Sequence, residues 1–174
     1  MARELKPLFP SYIFSRLELE ENLSLVVLGT GDARYEKLLS DMALAYPTKL
    51  AVKLAYDDAL AHRIEAGADI FLMPSHYEPC GLSQIYSLRY GTVPVVRATG
   101  GLDDTIDRTT GFKFKEYSAG AMLTALRSAL KTYGDPERWK TMMLGGMARD
   151  YSWAASAGEY SALYSRLRLH PEGG

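Results

Sequence analysis

Short apolar runs alternate with amphipathic stretches along most of the chain. Residues 23–28 (LSLVVL) are such a run, and it ends at Gly29-Thr30-Gly31-Asp32. Near-continuous apolar character over so few positions predicts a buried strand. Asp32 then predicts the N-cap of a helix over residues 34–45, stopped before Pro47. Residues 50–54 alternate weakly, as a strand does. Asp57 and Asp58 predict the cap of a helix running through Ala66, with Gly67 at its C-cap. Residues 68–73 (ADIFLM) and 93–96 (VPVV) predict further strands, with a helix over residues 82–90 between them. A helical turn near Asp104 and a small strand at residues 111–114 follow. Residues 118–169 read as helix, with breaks expected near Gly134-Asp135-Pro136 and near Gly145-Gly146.

Strands alternating with helices of this length predict an α/β domain, a parallel sheet with helices on both faces. The continuous apolar strands imply burial on both sides. In such a sheet ligands bind beyond the carboxyl ends of the strands. That directs attention to the loops at residues 29–32, 55–58, 74–82 and 98–102. The domain is expected over residues 22–169, after an atypical segment at residues 1–21 and before a tail at residues 170–174.

Composition narrows the partners. The chain has 174 residues, 47% hydrophobic and 24% charged, which suits one globular domain. A formal net charge of −1 gives no electrostatic reason to expect nucleic acid or an anionic membrane. No run approaches the roughly 18 apolar residues of a membrane span. The charged start, Met1-Ala2-Arg3-Glu4, does not resemble a signal peptide, so a cytoplasmic protein is expected. The lone Cys80 excludes an internal disulfide framework.

Among the loops, Gly29-Thr30-Gly31-Asp32 lacks the third glycine of a dinucleotide fingerprint, since position 34 is Arg34. Pro74-Ser75-His76-Tyr77-Glu78-Pro79-Cys80-Gly81-Leu82 is more informative. It carries Glu78 to the start of a helix, whose first amides are free donors at the positive end of the dipole. Gly81, without a Cβ, lets an anion approach the backbone. Glu78 either caps that helix or serves a sugar hydroxyl or a cationic anomeric carbon. Thr99-Gly100-Gly101 exposes amides after the next strand, and two such loops can converge on one anion. Tyr56 is either a stacking platform for a base or a packing residue. His62 and His76 lack the partners of a metal site, and no metal is expected. Cys80 has no basic neighbour to activate it, and its place suggests tight packing near a ligand.

These residues carry a resemblance. The run from Tyr56-Asp57-Asp58-Ala59-Leu60 through Glu78-Pro79-Cys80-Gly81-Leu82 and on to Ala98-Thr99-Gly100-Gly101-Leu102 is similar to bacterial glycogen synthases and plant starch synthases. The resemblance implies the Rossmann-like C-terminal half of a GT-B, two-domain retaining glycosyltransferase. It implies glucose transfer from ADP-glucose to the nonreducing end of an α-1,4-glucan, without a metal or other cofactor. By motif, Glu78 corresponds to the acidic donor-site residue. Gly81 and Leu82 offer amides to the diphosphate, with Cys80 beside them. Tyr56 lies where an aromatic packs near adenine, and Thr99, Gly100 and Gly101 line the phosphate and sugar region. Arg16, in Ser15-Arg16-Leu17, matches a donor-binding arginine.

The pattern departs from the family at the N-terminus. The Lys-Gly pair expected shortly after Arg16 is absent, and Leu17 to Asn22 is too short for a parallel crossover. A truncated or rearranged first βα unit is therefore expected, with an exposed edge that gives the domain a reason to self-associate. The acceptor domain is absent too, so the chain alone is expected to bind ADP-glucose or ADP without sustained turnover. The glucan acceptor is expected only alongside an N-terminal domain. A noncatalytic nucleotide-binding or interaction domain and a UDP-glucose-using relative remain open alternatives.

Overall fold

The computed structural model describes residues 23–169. Arg16 and the expectations placed on the N-terminal segment and the C-terminal tail lie outside the described residues. Strand β1 (Leu25–Leu28) pairs in parallel with β2 (Leu50–Lys53), Leu25 opposite Leu50 and Leu28 opposite Lys53. Strands β3 (Ile70–Met73), β4 (Val93–Arg97) and β5 (Phe112–Phe114) form a second parallel sheet with β4 in the middle. Ile70 faces Val93, and Val95 faces Phe112. Every described ladder is parallel, as the strand–helix alternation predicts, and the described strands divide into two sheets.

The helices are α1 (Ala33–Ala45), α2 (Asp58–Gly67), α3 (Ser83–Tyr90) and the short α4 (Gly101–Thr105), followed by α5 (Ala119–Tyr133), α6 (Pro136–Met147) and α7 (Trp153–Leu169). Side chains alternate across a strand, so β4 feeds opposite faces of its sheet. Val95 packs with Phe114 and with Met122, Ala125, Leu126 and Ala129 of α5. Val96 packs on the other side with Met73, Leu88 of α3, Leu102 of α4 and Ile106. Val93 meets Trp139 and Met142 of α6. Burial on both faces therefore holds for β4. It does not hold for β1, where Val26 is 50% exposed. Among the described residues no helix is long and apolar enough to cross a membrane.

Two helix boundaries differ from the sequence expectation. Gly67 is the last residue of α2 rather than its cap, which is Ala68 in extended conformation. The break expected near Gly145-Gly146 falls just beyond them: both glycines lie inside α6, which ends at Met147, and α7 begins at Trp153. The reason is packing. A Cβ on Gly146 would stand 2.8 Å from Leu88 Cδ2, so this glycine lets α6 approach α3 closely and does not end the helix. The break at Gly134-Asp135 occurs where expected, with Asp135 capping α6 and Pro136 following it.

The layered core predicts unequal costs for equal deletions. Leu102, 0% exposed, should lose about 2–5 kcal/mol of stability as Leu102→Ala, because a cavity is left between β4 and α3. Val26→Ala, at a half-exposed position, should stay within about 1 kcal/mol. Urea denaturation of both variants checks the contrast.

Candidate functional site

Parallel strands bring the loops after β3 and β4 to the same end of their sheet, and there the two loops touch. The Gly101 amide donates to the Glu78 carbonyl at 3.0 Å. A Cβ on Gly100 would lie 2.2 Å from Glu78 O, and one on Gly101 would lie 2.0 Å from Cys80 O. Gly100 also has φ +48, a left-handed conformation that disfavours any side chain. The Gly-Gly pair is thus required by the loop lying against it. Thr99 precedes the pair, half-buried, and its carbonyl accepts from the Leu102 amide at 3.2 Å.

Gly81 has φ +73, and a Cβ there would run into the Gln84 side-chain amide. Leu82 takes the N-cap position of α3 without any capping side-chain hydrogen bond, and its own side chain is 55% exposed. The cap of α3 is therefore Leu82, not Glu78. Glu78 is half-buried in the loop just before it. Cys80 departs from expectation. Its backbone packs on Gly101, but its side chain is exposed, with Sγ 3.7 Å from the Gly81 carbonyl. Tight packing belongs to the Cys80 peptide and not to the thiol.

The capping pattern separates this place from the rest of the fold. The first turns of α1, α2, α5 and α6 are held by the side chains of Asp32, Asp57, Ser118 and Asp135. Among the described residues, α3 and α4, the helices that start from the two touching loops, have an N-cap residue that makes no such bond. Helix α4 carries Asp103 and Asp104 in its first turn, and Lys113 Nζ binds the Asp103 carboxylate at 2.5 Å. The first turn of α3 has no acidic residue. Free amides and the positive dipole end, with no carboxylate in the first turn, make α3 the end suited to an anion.

The glycine-rich turn after β1 is filled by the protein itself. The Gly31 amide donates to Glu36 Oε1 at 2.8 Å. Asp32 accepts from the Arg34 amide at 2.9 Å and from its guanidinium at 2.8 Å. The Arg34 side chain is the main cause that holds the Asp32 carboxyl down at about 2. With carboxylates in place at that turn, it favours the steric reading over an anion cradle. Tyr56 stands at the carboxyl end of β2, 78% exposed, next to the α2 cap Asp57. It is available for stacking, and packing does not explain it.

Sequence reasoning missed two residues. Gln84, fully buried, donates from Nε2 to the carbonyls of Cys80 at 3.0 Å and Gly81 at 2.9 Å. Arg97, at the end of β4, donates to the Ser75 and His76 carbonyls across the sheet and to the Lys115 carbonyl at 3.2 Å. Its guanidinium lies over the Tyr117 ring at 5.3 Å, and His76 meets the same ring edge-on at 4.7 Å. A lone arginine closing the apolar run VPVV was a visible signal, since it enters the ligand-facing end of the sheet. His62 is structural, set against Tyr86 and Tyr90 where α2 meets α3.

The glycine contact can be tested by placing a methyl group in it. Gly101→Ala should destabilise the protein by about 1–3 kcal/mol, because the backbone at Cys80 must move. Gly120→Ala in α5, where a Cβ meets nothing within 4 Å, should stabilise by roughly 0.5–1 kcal/mol. Thermal or urea unfolding of the pair distinguishes a jammed loop from ordinary glycine flexibility.

The family described as "Glycosyl transferases group 1" matches residues 12–142. A glycogen synthase of Koribacter versatilis (strain Ellin345) is 56% identical over 160 residues, spanning 88% of this chain and 33% of that protein. The glycogen synthase of Geobacillus thermodenitrificans (strain NG80-2) is 48% identical over 156 residues, spanning 86% and 32%. Among solved structures, the catalytic domain of starch synthase IV from Arabidopsis thaliana, bound to ADP and acarbose, aligns with a TM-score of 0.75 at 33% identity. That alignment covers 88% of this chain and 34% of that one. The chain thus spans about a third of the length of these relatives. The α/β fold of parallel strands flanked by helices, which the sequence pattern predicts, matches the Rossmann-like half of a GT-B architecture that the resemblance implies. With its family match running across most of the described strands and helices, the chain belongs to the group 1 glycosyltransferases.

Proposed function

We propose that this chain is the donor-binding part of an ADP-glucose-dependent glycogen or starch synthase. Such an enzyme moves glucose to the nonreducing end of an α-1,4-glucan with retention. The observation that carries the reading is the uncapped, acid-free N-terminus of α3, held against Gly100-Gly101 by the loop containing Glu78. The starch synthase neighbour, at 33% identity, carries ADP, which supports an adenine nucleotide as the ligand here.

In this reading the diphosphate lies over the amides of Gly81 and Leu82. When the bond between the anomeric carbon and the diphosphate breaks, negative charge grows on the leaving oxygen. Fixed amide donors stabilise that charge without reorganising. Glu78 supplies a carboxylate for the positive charge at the anomeric carbon. Tyr56 stacks on the adenine, its ring already exposed for the purpose. Arg16 adds a cation at the diphosphate, by its match to the family motif. The glucan is held by a second domain across a cleft, and the described residues supply the donor-side wall of it.

Binding without efficient turnover is the expected behaviour, since only interactions that strengthen in the transition state accelerate chemistry. Isothermal titration should give tighter binding for ADP than for UDP. A glucan-elongation assay on the chain alone should show no sustained transfer, and robust turnover by the isolated chain would contradict the reading.

Glu78→Gln provides a second check. It preserves size and removes charge, so the fold should survive. Any activity regained by adding a separately produced N-terminal domain should be lost. Unchanged turnover in the complemented variant would assign Glu78 a structural role.

A further inference from the structure

Gln84 sits in the first turn of α3 and is 0% exposed. Its Nε2 donates to Cys80 O at 3.0 Å, to Gly81 O at 2.9 Å and to Thr105 Oγ1 at 3.3 Å. Thr105 Oγ1 in turn donates to Gly101 O at 2.5 Å. One amide group therefore ties the Glu78 loop to α4 and, through a threonine hydroxyl, to the glycine pair on which that loop rests. The orientation of the side-chain amide follows from its neighbours. Turned over, Oε1 would face two carbonyl oxygens and repel both. As placed, Oε1 is buried and has no hydrogen-bond partner among the described residues. An apolar side chain of similar volume would fill the space without that orphaned acceptor, so packing alone does not account for a glutamine here.

Peptide geometry supplies the account. In a trans peptide the C=O and the following N–H point in opposite directions, and the described chain has no cis bond. Drawing the Cys80 and Gly81 carbonyls inward to Nε2 turns the Gly81 and Leu82 amides outward. Those are the two amides that the proposed function gives to the diphosphate. We propose that Gln84 is a positioning residue for the donor: by holding the two carbonyls it aims the Gly81 and Leu82 amides at the diphosphate, with Thr105 as its anchor on α4. This rests on the donor-binding reading above. Gln84 touches no ligand itself, because its side chain is closed off beneath the loop. Its effect falls on the β-phosphate end of the nucleotide, while the adenosine end is held at the other sheet by Tyr56.

Titration of the full chain with ADP, AMP and adenosine separates the two ends. The unaltered chain should prefer ADP to AMP. In Gln84→Met, which keeps the volume and deletes the donor, adenosine affinity should persist. The ADP-over-AMP preference should fall by roughly tenfold or more, as expected for losing charge-assisted amide contacts. Thr105→Val should erode the same preference and Thr105→Ser should retain it, and this pair serves if Gln84→Met does not fold. An unchanged ADP-over-AMP preference in Gln84→Met, or in Thr105→Val if that is the variant that folds, overturns the proposal. So does an equal loss for all three ligands. Failure of the unaltered chain to bind ADP at all is seen before any variant is made, and it overturns the donor-binding reading together with this inference.

Discussion

The contact that organises this protein is made between two backbones that have no side chain between them. Gly100 and Gly101 lie so close to Glu78 and Cys80 that a methyl group on either would overlap a carbonyl oxygen. The Gly101 amide closes the gap with a hydrogen bond to Glu78 O. Beneath, the β3–β4 ladder fixes the distance between the strands that carry these loops. Arg97 reinforces it from the side by holding the Ser75 and His76 carbonyls. The loop is thus held from below and from one flank. Where α3 begins, Cys80 and Leu82 are exposed and Gly81 between them is buried.

Electrostatics then assigns different work to helix ends that look alike in outline. An uncapped N-terminus leaves amide donors and a partial positive charge unanswered. At α1 the protein answers both with Asp32 and Glu36, and Arg34 neutralises the aspartate. At α4 the answer is Asp103, partnered by Lys113. At α3 there is none from its own first turn. The same glycine-rich strand-to-helix turn therefore becomes a self-contained corner after β1 and an anion-ready end after β3. The difference lies in where carboxylates stand.

The site is also joined to the C-terminal helices. Thr105 gives its side chain to the Gln84 network and its carbonyl to the Tyr151 hydroxyl at 2.8 Å. Arg149 binds Asp107, whose carboxyl is held below its usual range chiefly by the Thr109 hydroxyl, with the Thr109 amide and Arg149 adding to the effect. Arg89 of α3 reaches the end of α6 at the Met147 carbonyl, 3.3 Å away. The connection from α6 to α7 thus meets the C-terminal end of α4, and the start of that short helix is held by the Gly101 amide on the Glu78 carbonyl. A five-residue helix has little stability of its own. Its order comes from these contacts and from Leu102 in the core.

How much could be read in advance follows from the range of the interactions involved. The order of strands and helices, the caps at Asp32 and Asp57, and the parallel pairing all express local preferences or short periodicities. The sequence displays these directly. The Glu78 and Thr99–Gly101 loops were legible as neighbours because successive parallel strands must end on the same side. The packing role of Gly146 and the loop contacts of Gln84 were not. A helix-breaking residue became a contact surface because Leu88 of another helix lies against it. A polar residue in a helix became the hub of the loop because its partners at Cys80, Gly81 and Thr105 meet only after folding. Sequence by itself determined the elements and the chemistry available at their ends. Tertiary structure alone decided which backbones would touch and which amides would face outward, because those depend on atoms far apart along the chain being forced to within a few ångströms.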